Sequence, residues 1–409
     1  MKHDSSRRNF LTAGIALPLT GVAGFWPKTE GPKTTEPGST PQLSYRVLGK
    51  TGLKVTTVGF GCMITSDASV VERAADLGIN YFDTARSYQQ GNNERMVGAA
   101  LKRKRKEIFL SSKSGAPDKE AALKDLDTSL QELGTDYVDI WYLHGKSRPE
   151  AVTDDLLEAQ RVAKQQGKIR FAGVSTHAAG EMIPFLVKQG TIEVVLFTYN
   201  FSMDKSLYGV LEQANKAGMG LVAMKVMAGG FRRRPPSGPP PGASARPRGP
   251  GAPPPGRGGH PAPPSQLERK GAMLAALKWV LNNPNVHTTI PGMTDMAQLD
   301  EDLRAMAESY GPAEEELLAR QLEYINPLYC RMCGKCEGTC AKGLPVADIL
   351  RYLTYADGYG QFSLGREEFL ALAPEATEVR CRECSACTVN CPFGVKVAKR
   401  LTRAQELFA

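Results

Sequence analysis

Asp83, Tyr88, Lys113 and His144 are of the types that move a proton to or from a carbonyl oxygen. Asp83 ends the apolar run Tyr81-Phe82, Lys113 ends IFLSSK, His144 ends YVDIWYLH, and Tyr88 lies five residues beyond Asp83. A phenol is a poor acid at neutral pH, because its reference pKa is about 10. A neighbouring lysine lowers that value, and an aspartate keeps the lysine charged and oriented. The imidazole of His144 can then position or protonate the oxygen while a hydride arrives at carbon.

A second constellation carries different chemistry. Eight of the nine cysteines lie beyond residue 329, in the runs Cys330, Cys333, Cys336, Cys340 and Cys381, Cys384, Cys387, Cys391. Each run has the spacing C-x2-C-x2-C-x3-C, and the second ends in Cys-Pro, the pattern of bacterial ferredoxins. Three thiolates at such gaps can wrap one cubane while the fourth reaches across. Zinc and disulfides stay open beside two [4Fe–4S] clusters. Zinc is satisfied by pairs and gives no reason for a third cysteine at that gap. Sulfurs so close in sequence are badly placed to staple distant segments.

The elements that must hold these residues alternate. Strands are expected at Val58, Tyr81 to Asp83, Ile108 to Lys113, Val138 to His144, Ile169 to Ser175, Val194 to Asn200, Leu221 to Val226 and Thr288 to Pro291. Helices are expected at Ser69 to Leu77, Asn93 to Lys102, Lys119 to Leu133, Thr153 to Gln166, Ser206 to Ala217, Leu267 to Leu281 and Met296 to Ala307. YRVLGKTGLKVTT reads as a hairpin leading into the first strand. Eight strands alternating with helices predict a (β/α)8 barrel, a fold that keeps its chemistry at the C-terminal ends of its strands. The fold class is therefore α/β, a TIM barrel followed by a small α-rich, ferredoxin-like iron–sulfur domain. The boundaries read from the chain are 1–41 for a signal and linker, 42–311 for the barrel, 312–327 for a connecting helix and 328–409 for the cysteine-rich domain.

The ends and interruptions have their own signatures. Arg7-Arg8 before Phe10-Leu11 and a short apolar run holding Pro18 has the form of a twin-arginine export signal. It predicts a periplasmic location, with the signal either cleaved or retained as a membrane tether. Residues 231–266 hold 13 of the 28 prolines, six arginines and no acid, so a disordered insert is expected there and no site is assigned to it. The net charge of +8 lies largely in that insert and in Lys102 to Lys106. Without a basic helical face interleaved with aromatics, nucleic acid is excluded as a partner.

DTARSY, the strand-end SSK, the Leu-His of YLHGKS, GKIRFAGVST and IPGM together resemble the aldo/keto reductases, from Gln42 to about Ala307. The resemblance implies Tyr88 as proton donor, Asp83 and Lys113 as its tuners and His144 as the group that orients the carbonyl. It implies NADP(H) or NAD(H) as cofactor, with Ser175, Lys225, Gln298 and Glu301 at contacting positions. The chain departs from the family pattern at several of these places. Thr176 follows Ser175 where Asn is usual, Leu196 replaces a glutamine and Met224 stands at the stacking aromatic. Thr294-Asp295 stand where a cation holds a 2′-phosphate, and Asp302 replaces an asparagine. Resemblance to two-cluster ferredoxins assigns Cys330, Cys333, Cys336 and Cys391 to one cluster, and Cys340, Cys381, Cys384 and Cys387 to the other. Cys62 reads as a small buried residue.

The expected function is an exported oxidoreductase. It would reduce a small carbonyl or oxidise an alcohol, use a nicotinamide cofactor, and exchange electrons with a redox protein or quinone through two [4Fe–4S] clusters. The competing expectation is an electron-transfer protein whose barrel is a docking scaffold without hydride chemistry.

Overall fold

Successive side chains of a strand point to opposite faces, and that alternation organises the barrel. In the computed structural model, which describes residues 42–229 and 271–409, Tyr81, Ile140, Tyr142, Val194, Leu196 and Val222 share the interior. Their neighbours Phe82, Trp141, Val195 and Phe197 pack outward under the helices. The signal segment 1–41 and the 231–266 insert lie outside the described residues.

The hairpin of β1 (Tyr45–Val47) and β2 (Lys54–Thr56) is antiparallel, and Leu48, Leu53 and Val55 close the N-terminal floor of the barrel. The parallel strands are β3 (Phe60–Gly61), β4 (Tyr81–Asp83), β5 (Phe109–Ser114), β6 (Val138–Leu143), β7 (Ile169–Thr176), β8 (Val194–Thr198), β9 (Gly220–Met224) and β10 (Thr288–Thr289). A parallel bridge between Val58 and Thr289 joins the first and last strands, reinforced by the Gly59 N–H to the Thr289 carbonyl at 2.7 Å. Gly173 on β7 is required by packing, since a Cβ there would run into the Tyr142 ring.

Helices α1 (Ala68–Asp76), α2 (Asn92–Leu101), α3 (Lys119–Leu133), α4 (Asp154–Gln165), α5 (Ala179–Gln189), α6 (Leu207–Lys216), α7 (Ala272–Leu281) and α8 (Met296–Leu303) surround the strands. Helix α3 begins where the Asp118 carboxylate accepts the Ala121 N–H at 2.9 Å and ends at left-handed Gly134. Such a cap stabilises a helix by about 1 kcal/mol. Helix α5 was not expected from the sequence. Pro184 removes one backbone donor from its middle, and burial of Ala179, Met182, Ile183 and Leu186 against the sheet holds it nonetheless. The seventh barrel strand stops at Met224 rather than Val226, because Lys225 turns into the left-handed region at φ 57°.

After α9 (Pro312–Ile325) come α10 (Val346–Asp357), α11 (Phe362–Leu370), α12 (Pro374–Glu378) and α13 (Val397–Phe408). Helix α9 seats Leu318 against Ala275 and Ala276 of α7, and Lys278 of α7 pairs with Glu314. The last four helices have their own core, in which Ile349, Leu353, Phe369, Leu401 and Phe408 are buried together with Cys330. Among the described residues no helix is long and apolar enough to cross a membrane.

Phe408 is fully buried against Phe362 and Phe369. Phe408→Ala should cost about 3–5 kcal/mol, read as a lower urea midpoint. An unchanged midpoint would mean that α13 does not complete this core.

Candidate active site

Alternation along β4, β5 and β6 sends Asp83, Lys113 and His144 to the barrel interior at its C-terminal end. The Lys113 ammonium donates to Asp83 Oδ2 at 2.5 Å, to the Thr84 carbonyl at 2.6 Å and to the Tyr88 hydroxyl at 3.2 Å. Ser111 donates to the other Asp83 oxygen at 2.7 Å. The Tyr88 ring meets His144 edge-on, with centroids 5.9 Å apart. The four residues expected to do chemistry are thus gathered in one place.

A strained turn aims Tyr88. Gln89 and Gln90 are left-handed, at φ 49° and 56°, and Gly91 follows at φ 86° where a Cβ would strike the Arg86 guanidinium. Buried Glu94 anchors that loop through Arg86, and Ser112 donates to Glu94 at 2.6 Å. Asn93 ties the loop to Cys62 and Thr84.

Burial works against both charges of the ion pair, raising Asp83 and lowering Lys113, while each charge partly offsets the other's loss of water. Tyr88 moves opposite to expectation: burial first, then Asp83, Cys62 and Glu368, push it well above the usual phenol value. The ammonium of Lys113, 3.2 Å from the hydroxyl, does not offset this burial. His144 keeps an exposed edge, yet desolvation and the charges of Lys113, Arg351 and Lys225 hold it well below its ordinary pKa, as a neutral imidazole.

Much of that enclosure comes from the C-terminal helices. A cavity of about 60 Å³ is lined by Asp83, Tyr88, Met224, Lys225, Gly292 and Tyr359. The Lys225 ammonium lies 4.8 and 4.7 Å from the ring centres of Tyr355 and Tyr359. Gln90 donates to Glu367 at 2.6 Å, and Asn200 donates to the Tyr329 hydroxyl at 3.2 Å. The sequence reading assigned no role to Arg351, Tyr355 or Tyr359, which lie between the two cysteine runs. The signal was present: Arg351, Tyr355 and Tyr359 recur every four residues along α10 and just past its end.

Of the positions expected at the cofactor, Lys225 borders this cavity, whereas Ser175, Gln298 and Glu301 do not. Ser175 accepts the Gly145 N–H at 2.8 Å. The Gln298 amide folds onto its own helix start, bonding Thr294 and Asp295. Asp295 caps α8. Glu301, on α8, faces Asp302 closely enough for its charge to act there. Asp302 is fully buried with both oxygens unpartnered, and burial with the nearby acids raises its pKa strongly.

The thiols fall into two neighbourhoods. Cys330 feels Cys333, Cys336 and Cys391, whereas Cys381 feels Cys340, Cys384 and Cys387. Burial raises the thiol pKa of both Cys330 and Cys381, disfavouring their thiolates. The Met332 N–H points at the Cys330 sulfur at 3.4 Å. Among the described residues no three such side chains converge on one point as ligands of a single ion.

Residues 64–249 match the aldo/keto reductase family. L-galactose dehydrogenase of Arabidopsis thaliana is 29% identical over 305 residues, spanning 68% of this chain and 92% of the plant protein. The holo form of the aldo-keto reductase AKR11C1 from Bacillus halodurans superposes with a TM-score of 0.54 at 26% identity, covering 68% of this chain and 96% of the other. An aldo/keto reductase from Klebsiella pneumoniae, solved with NADP and acetate, gives a TM-score of 0.51 at 19% identity over 67% of this chain and 94% of its own. That last likeness is one of fold alone.

Asp302 yields a pH-dependent test. Its raised folded pKa means that the folded chain keeps a proton which the unfolded chain releases above about 3.9, so its contribution to stability falls as pH rises beyond that value. Asp302→Asn should therefore stabilise the fold, by about 1–3 kcal/mol near pH 7 and by less near pH 4. A melting-temperature gain equal at both pH values, or a loss, would contradict a buried acid without partners.

Proposed function

The chain belongs to the aldo/keto reductase family and is an oxidoreductase of that type, and from that premise we propose that it interconverts a small carbonyl compound and its alcohol at Asp83, Tyr88, Lys113 and His144. The observation that carries this reading is the Lys113 ammonium, fixed between Asp83, the Thr84 carbonyl and the Tyr88 hydroxyl beside a cavity. In the reductive direction Tyr88, protonated across the neutral range, gives its proton to the carbonyl oxygen. Lys113 then stabilises the phenolate left behind, and Asp83 keeps Lys113 charged. His144, neutral, donates an N–H to the same oxygen without placing a competing full charge beside Lys113.

A nicotinamide dinucleotide, when bound, supplies the hydride to carbon. Met224, Lys225 and Gly292 border the cavity where its nicotinamide end would lie, while Ser175 stands outside that lining with its hydroxyl accepting the Gly145 N–H. A 2′-phosphate fits poorly, because Asp295 caps α8 where relatives place a cation. The Klebsiella pneumoniae protein of the same fold was solved with NADP; in this chain the acid at Asp295 supports NAD(H) instead.

The two C-x2-C-x2-C-x3-C runs support two [4Fe–4S] clusters, with Cys330, Cys333, Cys336 and Cys391 to hold one and Cys340, Cys381, Cys384 and Cys387 the other, although the described side chains do not converge three at a time on one point. Support comes from the two thiol neighbourhoods, their apolar cover and the amide aimed at Cys330. Such clusters would supply one-electron transfer to a redox protein or quinone. Arg7-Arg8 supports export of the folded, loaded chain through the twin-arginine machinery. Replacing both with lysine should leave the protein in the cytoplasm on fractionation; continued export would refute this route.

The deciding experiment is an anaerobic titration of cluster-loaded protein with NADH and NADPH, following visible absorbance. Bleaching by either nucleotide is expected. Tyr88→Phe should bind nucleotide as before and lose about 10²–10⁴-fold in kcat. Undiminished redox activity in Tyr88→Phe would instead favour the barrel as a docking scaffold.

A further inference from the structure

The barrel mouth holds more positive charge than acid. Lys113 has Asp83. Lys225 meets two tyrosine rings and the Met63 sulfur at 3.6 Å, and makes no ion pair among the described residues. Arg351 stands one turn before Tyr355 on α10 and so shares its face. Its Nη2 reaches Asp348 at 3.0 Å and the Tyr352 hydroxyl at 3.2 Å, while its Nε is buried without a partner. The Arg351 charge acts on His144, His177 and Lys225, three groups delivered by the ends of β6, β7 and β9. Lys146 adds a further charge felt by His144.

The acids facing this group do not balance it. Asp83 is engaged by Lys113 and Asp348 by Arg351, and burial moves Glu368 toward its neutral form. A buried guanidinium donor left unpaired is costly. The fork of a guanidinium matches the two oxygens of a carboxylate or phosphate, and such charge-assisted pairs are among the strong hydrogen bonds. The cavity beside Tyr88 is small and is walled by Lys225 and by Tyr359 just past α10, with Arg351 outside its lining; a short molecule with its carbonyl at the tetrad would extend past Lys225 to bring an anionic end toward α10.

We propose that the site takes a short-chain carbonyl substrate bearing an oxyanion, and that Arg351 of the C-terminal helices is the specificity-determining residue that holds this group, with Lys225 beside it. This inference rests on the carbonyl-reduction reading above and adds the substrate class. A dinucleotide phosphate shares the oxyanion chemistry, so the test must separate it from substrate.

The probes are succinic semialdehyde against butanal, glycolaldehyde phosphate against glycolaldehyde, and NADH or NADPH binding measured alone. The full-length, cluster-loaded protein should show at least a tenfold higher kcat/KM for one charged aldehyde than for its neutral partner. The member that shows it identifies the oxyanion as carboxylate or phosphate. Arg351→Gln should reduce that ratio at least tenfold, mainly through KM, and Arg351→Lys should recover part of it. A ratio near one in the unaltered protein, equal losses on both aldehydes, or a loss confined to nucleotide binding would overturn the proposal. If no aldehyde is turned over, the carbonyl reading itself has failed. Calorimetry with succinate and with inorganic phosphate then decides the oxyanion site: binding of either that Arg351→Gln abolishes supports it, and no binding refutes it.

Discussion

The buried pair of Lys113 and Asp83 is the constraint on which the site depends. Two opposite charges deep in a barrel are tolerable only while each has the other and further hydrogen bonds, and here Ser111, Thr84 and Tyr88 supply those bonds. The pair therefore fixes more than itself. It holds the end of β4 beside the end of β5, sets the direction from which the Tyr88 hydroxyl is approached, and brings the left-handed turn at Gln89 and Gln90 to the same point. The buried Glu94 behind that turn repeats the arrangement one layer out.

Much of this was legible in the chain. Strand-end Asp83, Lys113 and His144 could be placed because alternation puts every second residue of a strand on one face, and these three end apolar runs on the inward parity. Helix α3 was legible to the residue because Asp118 and Gly134 bracket it. Helix α5 was not, since Pro184 erases the local signal while burial of its apolar face, a tertiary effect, restores the helix. The end of β9 was misjudged because the left-handed turn at Lys225 is set by what lies above it rather than by neighbours in sequence. The upward shift of Tyr88 was beyond reach for a related reason. It follows from enclosure by α10 and α11, and no local pattern shows which surface a distant helix will cover.

The two parts of the molecule meet over the chemistry rather than beside it. Helix α10 contributes Ile349 and Leu353 to the core that also holds Cys330, and its other residues, Arg351 and Tyr355, reach the barrel mouth. The chain from Tyr329, bonded to Asn200 at the mouth, runs directly into Cys330. One helix, α10, and the Tyr329–Cys330 dipeptide thus belong both to the cysteine-bearing core and to the region over the barrel mouth.

The aromatic cradle around Lys225 has a kinetic consequence. A cation over two rings is held by about 0.5–2 kcal/mol per contact, and Tyr359, one of those rings, also walls the cavity beside Tyr88. A ligand whose entry required that ring to move would show an apparent affinity weakened by the fraction of molecules in which it had moved. Its departure would be slowed in the same way, and turnover would then depend on ring movement as well as on proton transfer.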